Sequence, residues 1–224
     1  MFQNFNNFKV EVFENGKSID LIGLCETHLT EDKEKIYALE HYNFFSTNIA
    51  SNKGGVCIYV KDSIPCRLRS DLCRNSEHLE AVFVECLFQN KKLMVGMIYH
   101  RPGTNVNRFL EDISDLLENI TCDCILMGDY NFNILNEAND NNVSNFVSVL
   151  REYFYHPVVT KPTRVHNRSV SLLDQIWINF GHESEHSSYI IFNGITDHFP
   201  VIYQHRLNSS TKQYKLITYR ISGD

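Results

Sequence analysis

Short runs of apolar and β-branched residues recur along the whole chain, separated by polar and turn-forming residues. Runs of this length and composition are typical of strands that are buried on at least one face. They include IDLIGLC (19–25), GVCIYV (55–60), EAVFVECLF (80–88), KLMVGMIYH (92–100), DCILMGDY (123–130), SLLDQIWIN (171–179), SSYIIF (187–192) and PVIYQHRL (200–207). The pattern therefore predicts a protein rich in β-strands.

Two segments instead carry apolar residues at the spacing of one helix face. These stripes are Phe109, Ile113, Leu116, Leu117 and Ile120, then Val143, Phe146, Val147 and Leu150. The first helix is predicted to begin near Asn105 or Asn107 and the second near Asn141 or Asn142, since Asn favours helix N-caps.

The order of these elements predicts one domain of mixed α and β structure, with helices covering sheets. A hydrophobic content of 43% over 224 residues is enough for one packed core. We expect the domain to span residues 1–207. Residues 208–224 are more polar and are predicted to form a basic C-terminal extension.

Composition bears on the partners and the cellular compartment of the protein. The net charge of −6 argues against a nucleic-acid partner when taken alone, but carboxylates that bind cations also make a chain acidic. Seven dispersed cysteines are typical of buried thiols in a reducing compartment rather than of a disulfide framework. Without an apolar run of about 18 residues, no membrane span is predicted. No obligate oligomer is predicted either.

Gly-Asp-Tyr-Asn at 128–131 lies where a predicted buried strand ends. Asp129 and Asn131 are two residues apart and would point to the same side of an extended chain. The carboxylate can bind a cation or take a proton from water, and the amide can donate to a phosphate oxygen. An ordinary turn is the alternative, because Gly, Asp and Asn favour turns.

Thr-Asp-His at 196–198 directly precedes another predicted strand. Asp197 could bind a metal ion, and His198 could contact phosphate, since an imidazole changes charge near neutral pH. A surface loop that ends at Pro200 is the alternative.

Two further carboxylates lie beside or inside apolar runs. Glu26 directly follows LIGLC, and Asp174 interrupts SLLDQIWIN. A buried carboxylate is costly unless it is paired or metal-bound, and Asp174 could orient His198. A solvent-facing position is the alternative for both residues.

Tyr-His-Arg-Pro-Gly at 99–103 ends a third predicted strand. The Tyr99 hydroxyl could donate to a phosphate oxygen and Arg101 could neutralise its charge. A simple strand-to-turn transition is the alternative. Because all these groups lie at strand ends or within strands, they could share one rim of the fold. Their oxygen-rich ligands favour Mg²⁺ or Mn²⁺ over zinc.

An ordered series of segments resembles the endonuclease/exonuclease/phosphatase family, from about Leu21 to Tyr203. In order, these are CETHL, GGVCIYV, VGMIYHRPG, GDYNFN, PTRVH, SLLDQIWIN and ITDHFPV. Within the family, ETHL and Tyr-x-Arg-Pro are most similar to the endonuclease domain of non-LTR retrotransposons, relatives of the apurinic/apyrimidinic endonucleases. The resemblance implies an α/β four-layer sandwich of two packed mixed β-sheets flanked by helices.

The resemblance also implies catalytic roles. Asp129 matches the residue that orients or deprotonates the attacking water, and Asn131 matches its phosphate-binding neighbour. His198 matches the histidine that stabilises the pentacovalent phosphorus, and Asp174 matches the residue that orients this histidine.

The remaining matches concern metal and substrate. Glu26 matches the acidic metal ligand, and Asp197 matches a second acid near metal or water. Tyr99 matches the tyrosine that contacts the scissile phosphate. Thr163 and Arg164 match a pair that lies near the DNA, within a basic segment from residue 153 to residue 173.

The implied activity is Mg²⁺-dependent (or Mn²⁺-dependent) cleavage of DNA that leaves a nick with a 3′-hydroxyl. The implied partners are DNA and a reverse transcriptase region. The implied location is intracellular, and nuclear if the substrate is chromosomal DNA.

One departure from the family concerns its first strand, which carries an Asn in a motif like Asn-x-Arg-Ser. Here Phe5, Phe8 and Val12 have helical spacing, although KVEVF at 9–13 also alternates as a strand does. The first strand is therefore predicted to be lacking. Two alternatives follow: an inactive domain that only binds nucleic acid or protein, or a phosphatase of the same fold acting on a small phosphorylated substrate.

Overall fold

Two large β-sheets pack face to face, and two α-helices cover the outer face of one of them. This computed structural model describes residues 19–28, 37–47, 54–166, 169–181, 185–192, 197–206 and 213–220. The predicted architecture of two packed mixed sheets with helices is confirmed. The predicted N-terminal helix at Phe5, Phe8 and Val12 lies outside the described residues.

Among the described residues, the α-helices are α1 (Val106–Glu118) and α2 (Asn141–Glu152). The strands are β1 (Leu21–Cys25), β2 (Tyr42–Thr47), β3 (Val56–Lys61), β4 (Cys66–Leu68), β5 (Arg74–Asn75), β6 (Leu79–Phe88), β7 (Lys91–His100), β8 (Cys124–Asp129), β9 (His156–Pro157), β10 (Arg164–His166), β11 (Ser169–Ser171), β12 (Asp174–Ile178), β13 (His186–Ile190), β14 (Val201–Arg206) and β15 (Gln213–Arg220). Helix α1 lies between the strands β7 and β8, and α2 lies between β8 and β9.

Both large sheets mix parallel and antiparallel pairs. One sheet has the order β13-β14-β15-β1-β3-β2, and the other has the order β4-β6-β7-β8-β12-β9 with β5 paired to β6. Strands β10 and β11 form a separate hairpin. In the first sheet β15 runs parallel to β1, and in the second β7 runs parallel to β8.

The helices are held by the apolar stripes that the sequence predicted. The side chains that α1 buries are Phe109, Ile113, Leu116 and Leu117, and those that α2 buries are Val143, Phe146, Val147 and Leu150. The N-caps are Asn105, as predicted, and Asp140, one residue before the predicted range. Both caps accept backbone N–H groups through their side chains, which satisfies donors at the helix start.

The C-terminal segment differs from the prediction. Residues 213–220 do not extend loosely from the domain but form β15, which lies inside the first sheet between β14 and β1. Its apolar run of Leu216, Ile217, Thr218 and Tyr219 is buried there. The basic residues that flank this run hid its strand character. Among the described residues, no helix is long and apolar enough to cross a membrane.

Strand register brings the chemically active residues to one end of the sandwich. Tyr99 pairs with Asp129 across β7 and β8, and Asp129 pairs with Asp174 across β8 and β12. In the other sheet, Cys25 at the end of β1 pairs with Arg220 at the end of β15. The end of β1, which Glu26 follows, therefore reaches the same rim as the ends of β7 and β8.

Candidate active site at the end of the sandwich

Asp129, Asp174 and His198 form a buried cluster. His198 Nδ1 lies 2.8 Å from Asp174 Oδ2 and 4.0 Å from Asp129 Oδ2. One ligand atom from each of the three residues lies within 4.8 Å of the others. The contact between Asp174 and His198 that the sequence predicted is present, so Asp174 does not simply face solvent.

Burial and neighbouring charges set the protonation of this cluster. Burial raises the pKa of Asp129, and the nearby Asp174 carboxylate raises it further, whereas His198 and Arg220 lower it. Burial by itself lowers the pKa of His198, but Asp174 and Asp129 outweigh it and the pKa is raised. Asp129 Oδ2 accepts no hydrogen bond from any residue the structure describes. This buried oxygen is therefore oriented for a cation or a water.

Thr163 supports the cluster through the backbone at the start of β12. Its hydroxyl oxygen accepts the backbone N–H groups of Leu173 and Asp174, at 3.2 and 3.1 Å, and the side chain is fully buried. Thr163 was predicted to bind substrate. In the structure it makes a positioning contact at the start of β12, which supports Asp174 next to His198, and its contact with substrate stays a prediction.

Glu26 and Tyr99 lie beside the cluster. The Tyr99 hydroxyl donates to Glu26 Oε1 over 2.7 Å. Burial, followed by the Glu26 charge, raises the pKa of Tyr99, so its hydroxyl stays protonated. Glu26 has a φ of 51°, a left-handed conformation that is uncommon outside glycine. The following Thr27 donates its N–H to Gly55 O, which holds this turn in place.

The turn after β8 depends on Gly128 and Asn131. A Cβ at Gly128 would lie 1.8 Å from the carbonyl oxygen of Ile98, so only glycine allows β7 and β8 to approach here. Asn131 has a φ of 51° and donates its backbone N–H to Asp129 Oδ1 over 3.0 Å. Its side-chain amide donates to the carbonyl of His100 over 2.7 Å. Asn131, predicted to bind phosphate, thus also ties the Asp129 turn to β7.

Two arginines predicted to bind substrate have carboxylate partners. Arg101 donates to Glu80, a buried carboxylate that also accepts the N–H of Gly55. Arg164 Nε donates to Asp197 Oδ2 over 2.7 Å. Burial raises the pKa of Asp197, but its bond to Arg164 and the charges of His198, Arg164 and Arg220 together outweigh this, and the pKa lies below its usual value.

Arg220 is the residue that sequence reasoning missed. Its Nε and Nη2 donate to the two oxygens of Glu26, at 3.0 and 2.9 Å, and its Nη1 donates to His198 Nε2 over 2.7 Å. Nη1 also lies 3.5 Å from Asp129 Oδ2. Because Nε2 accepts this bond, His198 here carries its proton on Nδ1. The Arg220 charge therefore opposes, but does not cancel, the raised pKa of His198.

The carboxylates fit a divalent cation of the Mg²⁺ class, which prefers oxygen ligands. The unsatisfied Asp129 Oδ2 and the neighbouring Glu26 would hold it. Among the described residues, the ligand atoms that converge belong to Asp129, Asp174 and His198. The predicted metal ligands Glu26 and Asp197 each form an ion pair with an arginine, Arg220 and Arg164 respectively.

Comparisons by sequence and by structure give different results. No protein-family model matches the chain, and no curated protein matches it significantly. The fold is similar to the endonuclease domain of TRAS1, a telomere-specific non-LTR retrotransposon, with a TM-score of 0.65, 14% identity, and 85% of this chain and 100% of that chain covered.

Two further solved structures are similar over most of their length. The 3′-5′ exonuclease NExo from Neisseria meningitidis has a TM-score of 0.66 and 12% identity, with 91% of this chain and 96% of that chain covered. D. rerio TDP2 complexed with a single-strand DNA product has a TM-score of 0.62 and 14% identity, with 89% and 90% covered. The chain therefore has the fold of the endonuclease/exonuclease/phosphatase family.

Proposed function

We propose that this protein hydrolyses a phosphodiester bond in DNA with the help of Mg²⁺ or Mn²⁺. The observation that carries the proposal is the buried cluster of Asp129, Asp174 and His198, with Glu26 and Tyr99 beside it. Such a cluster combines a base, a proton donor and cation ligands around one point, as phosphoryl transfer requires. A bound divalent cation would polarise the phosphate and neutralise charge that develops on its oxygens.

In this mechanism Asp129 receives a proton from the attacking water, for which a raised pKa suits it. The water oxygen bonds to phosphorus, the bond from phosphorus to the 3′ oxygen breaks, and the leaving 3′ oxygen takes up a proton from solvent. A 3′-hydroxyl and a 5′-phosphate result. Asp174 holds the His198 ring so that Nε2 faces the centre of the site. In the protonated ring, the Nε2–H would donate to the non-bridging oxygens together with the Tyr99 hydroxyl.

The surface next to the site suits a nucleic acid. Lys161 is exposed beside a groove of about 520 Å³ at the base of the β10–β11 hairpin. The groove is also lined by Tyr189 and Phe192, whose side chains are 54% and 77% exposed. Exposed rings near a basic side chain can stack on bases while the cation contacts phosphate. Arg168, which the sequence adds to this basic segment, lies outside the described residues.

The biological setting that we propose is retrotransposition, because the similar folds include the endonuclease domain of the TRAS1 retrotransposon. In that setting the 3′-hydroxyl at the nick would prime synthesis by a reverse transcriptase region, and the target would be chromosomal DNA in the nucleus.

A second candidate function is an inactive domain that binds nucleic acid or protein. The specific observation in its favour is Arg220, whose guanidinium fills the space between Glu26 and Asp129. This alternative predicts DNA binding without cleavage at every concentration of Mg²⁺.

The test offers the purified protein three substrates: supercoiled plasmid, a single-stranded oligonucleotide and a small phosphate monoester, each with Mg²⁺ or with EDTA. The proposal expects Mg²⁺-dependent nicking of plasmid, with nicks that a DNA polymerase extends without prior treatment. Hydrolysis of the monoester alone would instead indicate a phosphatase. DNA binding with no cleavage would indicate the inactive alternative.

A further inference from the structure

Arg220 places a positive charge inside the candidate active site. It is the last described residue of β15, and its side chain is only 12% exposed. Its guanidinium contacts both oxygens of Glu26 and lies 3.5 Å from Asp129 Oδ2. A buried cation between two carboxylates occupies the position that a metal ion bound by both carboxylates would take.

The guanidinium has little capacity left for a substrate. All three of its nitrogens already contact Glu26 or His198, and these contacts use three of the five N–H groups. His198 Nε2, the atom that would face a substrate phosphate, accepts one of these bonds. Arg220 thus blocks both the cation position and the phosphate contact in this arrangement.

Charge and space exclude simultaneous occupancy. A small divalent cation bonds to carboxylate oxygens at about 2.0–2.1 Å, and a guanidinium on the same oxygens would lie against it. Two positive groups so close together in a buried site repel strongly. Release of Arg220 needs no strand to separate, because a long side chain at a strand end can rotate toward solvent.

We propose that Arg220 is an internal cation that competes with a divalent metal ion for Glu26 and Asp129, so that metal binding must first displace its guanidinium. This inference rests on the metal-assisted part of the proposed function and deepens it. The site alternates between a closed state held by Arg220 and an open state held by the metal.

The experiment measures Mn²⁺ affinity directly, by electron paramagnetic resonance of free Mn²⁺, for four proteins: wild type, Arg220→Gln, Arg220→Lys and Arg206→Gln. Arg206 is an exposed arginine at the end of the neighbouring strand β14 and serves as the matched control. We expect Arg220→Gln to bind Mn²⁺ at least about tenfold more tightly than wild type, because a buried competing charge is removed. Arg220→Lys and Arg206→Gln should stay close to wild type.

Equal or weaker Mn²⁺ binding by folded Arg220→Gln would overturn the inference, since it would make Arg220 a support of the metal site rather than its competitor. Absence of Mn²⁺ binding in all four proteins would overturn both the inference and the metal-assisted function. If Arg220→Gln binds tightly but neither protein nicks plasmid, the inference stands and the proposed function fails. If wild type nicks plasmid and Arg220→Gln leaves the Mn²⁺ affinity unchanged, the proposed function stands and the inference fails.

A second measurement does not need Arg220→Gln and covers the case in which that variant fails to fold. The Nε–H of a buried, bonded Arg220 should give a slowly exchanging nitrogen–proton NMR signal, assigned by its loss in Arg220→Lys. Saturating Mg²⁺ should abolish this protection. A signal that stays protected while Mg²⁺ is bound would contradict displacement.

Discussion

His198 Nδ1 donates to Asp174 Oδ2 over 2.8 Å, and both side chains are buried at the end of the sandwich. The bond fixes the orientation of the imidazole ring and directs Nε2 toward Arg220. A carboxylate in this position also stabilises the protonated ring.

The first prediction concerns this pair. Asp174→Asn should lower the pKa of His198, because the carboxylate that raises it is gone. It should also slow DNA cleavage by roughly 10²–10⁴-fold, the range for losing one correctly placed acid–base group. Histidine NMR titration and plasmid nicking measure the two effects. Asp115→Asn, an exposed carboxylate on α1, is the control and should change neither. An unchanged His198 pKa in Asp174→Asn would contradict the assignment.

The second prediction is that Asp129 lowers the stability of the fold. Its pKa is raised in the folded state by burial and by Asp174, so the folded state binds this proton more tightly than the unfolded chain. Stability is therefore lost as the pH rises from the usual value of 3.8 through the raised pKa. Asp129→Asn keeps an acceptor for the N–H of Asn131 but removes the charge.

At pH 8, Asp129→Asn should be at least as stable as wild type in urea denaturation while cleaving no DNA. The difference in unfolding free energy should shrink as the pH falls toward 4. A variant that is clearly less stable than wild type at pH 8, with a deficit that persists at pH 4, would show that this charge is not a cost to folding.

The third prediction separates structural from substrate-binding roles for Arg101. Arg101→Ala should destabilise the fold by about 2 kcal/mol, because it leaves the Glu80 carboxylate buried with the N–H of Gly55 as its remaining donor in the described contacts. The double variant Arg101→Ala/Glu80→Gln should recover part of this loss. Arg108→Ala on the exposed face of α1 should change stability little. A stable Arg101→Ala protein with weakened DNA binding would favour the substrate role.

The fourth prediction concerns the close approach of β7 and β8. Gly128→Ala should cost more than about 3 kcal/mol, since its Cβ would meet the rigid carbonyl of Ile98. Gly23→Ala should cost less, about 1–3 kcal/mol, because its Cβ would meet the movable side-chain ends of Met97 and Met127. Guanidinium denaturation ranks the two variants. Equal losses of unfolding free energy would mean that the backbone of β7 at Ile98 can move to accommodate the added Cβ.

The sequence predicted those parts of the fold that depend on local patterns. The stripe at Phe109 and Ile113 could be recognised because helical spacing alone decides which face is buried. The carboxylates Asp129 and Asp174 stood out because each lies beside or inside an apolar run. Register then brought them together, which a single strand cannot reveal.

The contacts that the sequence could not predict involve partners distant in the chain. The bonds that join Thr163 to Asp174 and Arg101 to Glu80 each link separate segments, so no single segment reveals them. Arg220 lies 194 residues from Glu26 along the chain, in a segment whose basic flanks masked its strand pattern. The run of Leu216 to Tyr219 was the one local signal that could have located it.

The most direct test of the account is the rate at which the protein nicks supercoiled plasmid at saturating Mg²⁺, compared with Asp129→Ala and His198→Ala at equal concentration. We predict that wild type nicks the plasmid, that EDTA stops the nicking, and that each variant nicks more slowly by at least about 10²-fold. Wild type that nicks no faster than either folded variant would contradict the assignment of this cluster as the catalytic centre.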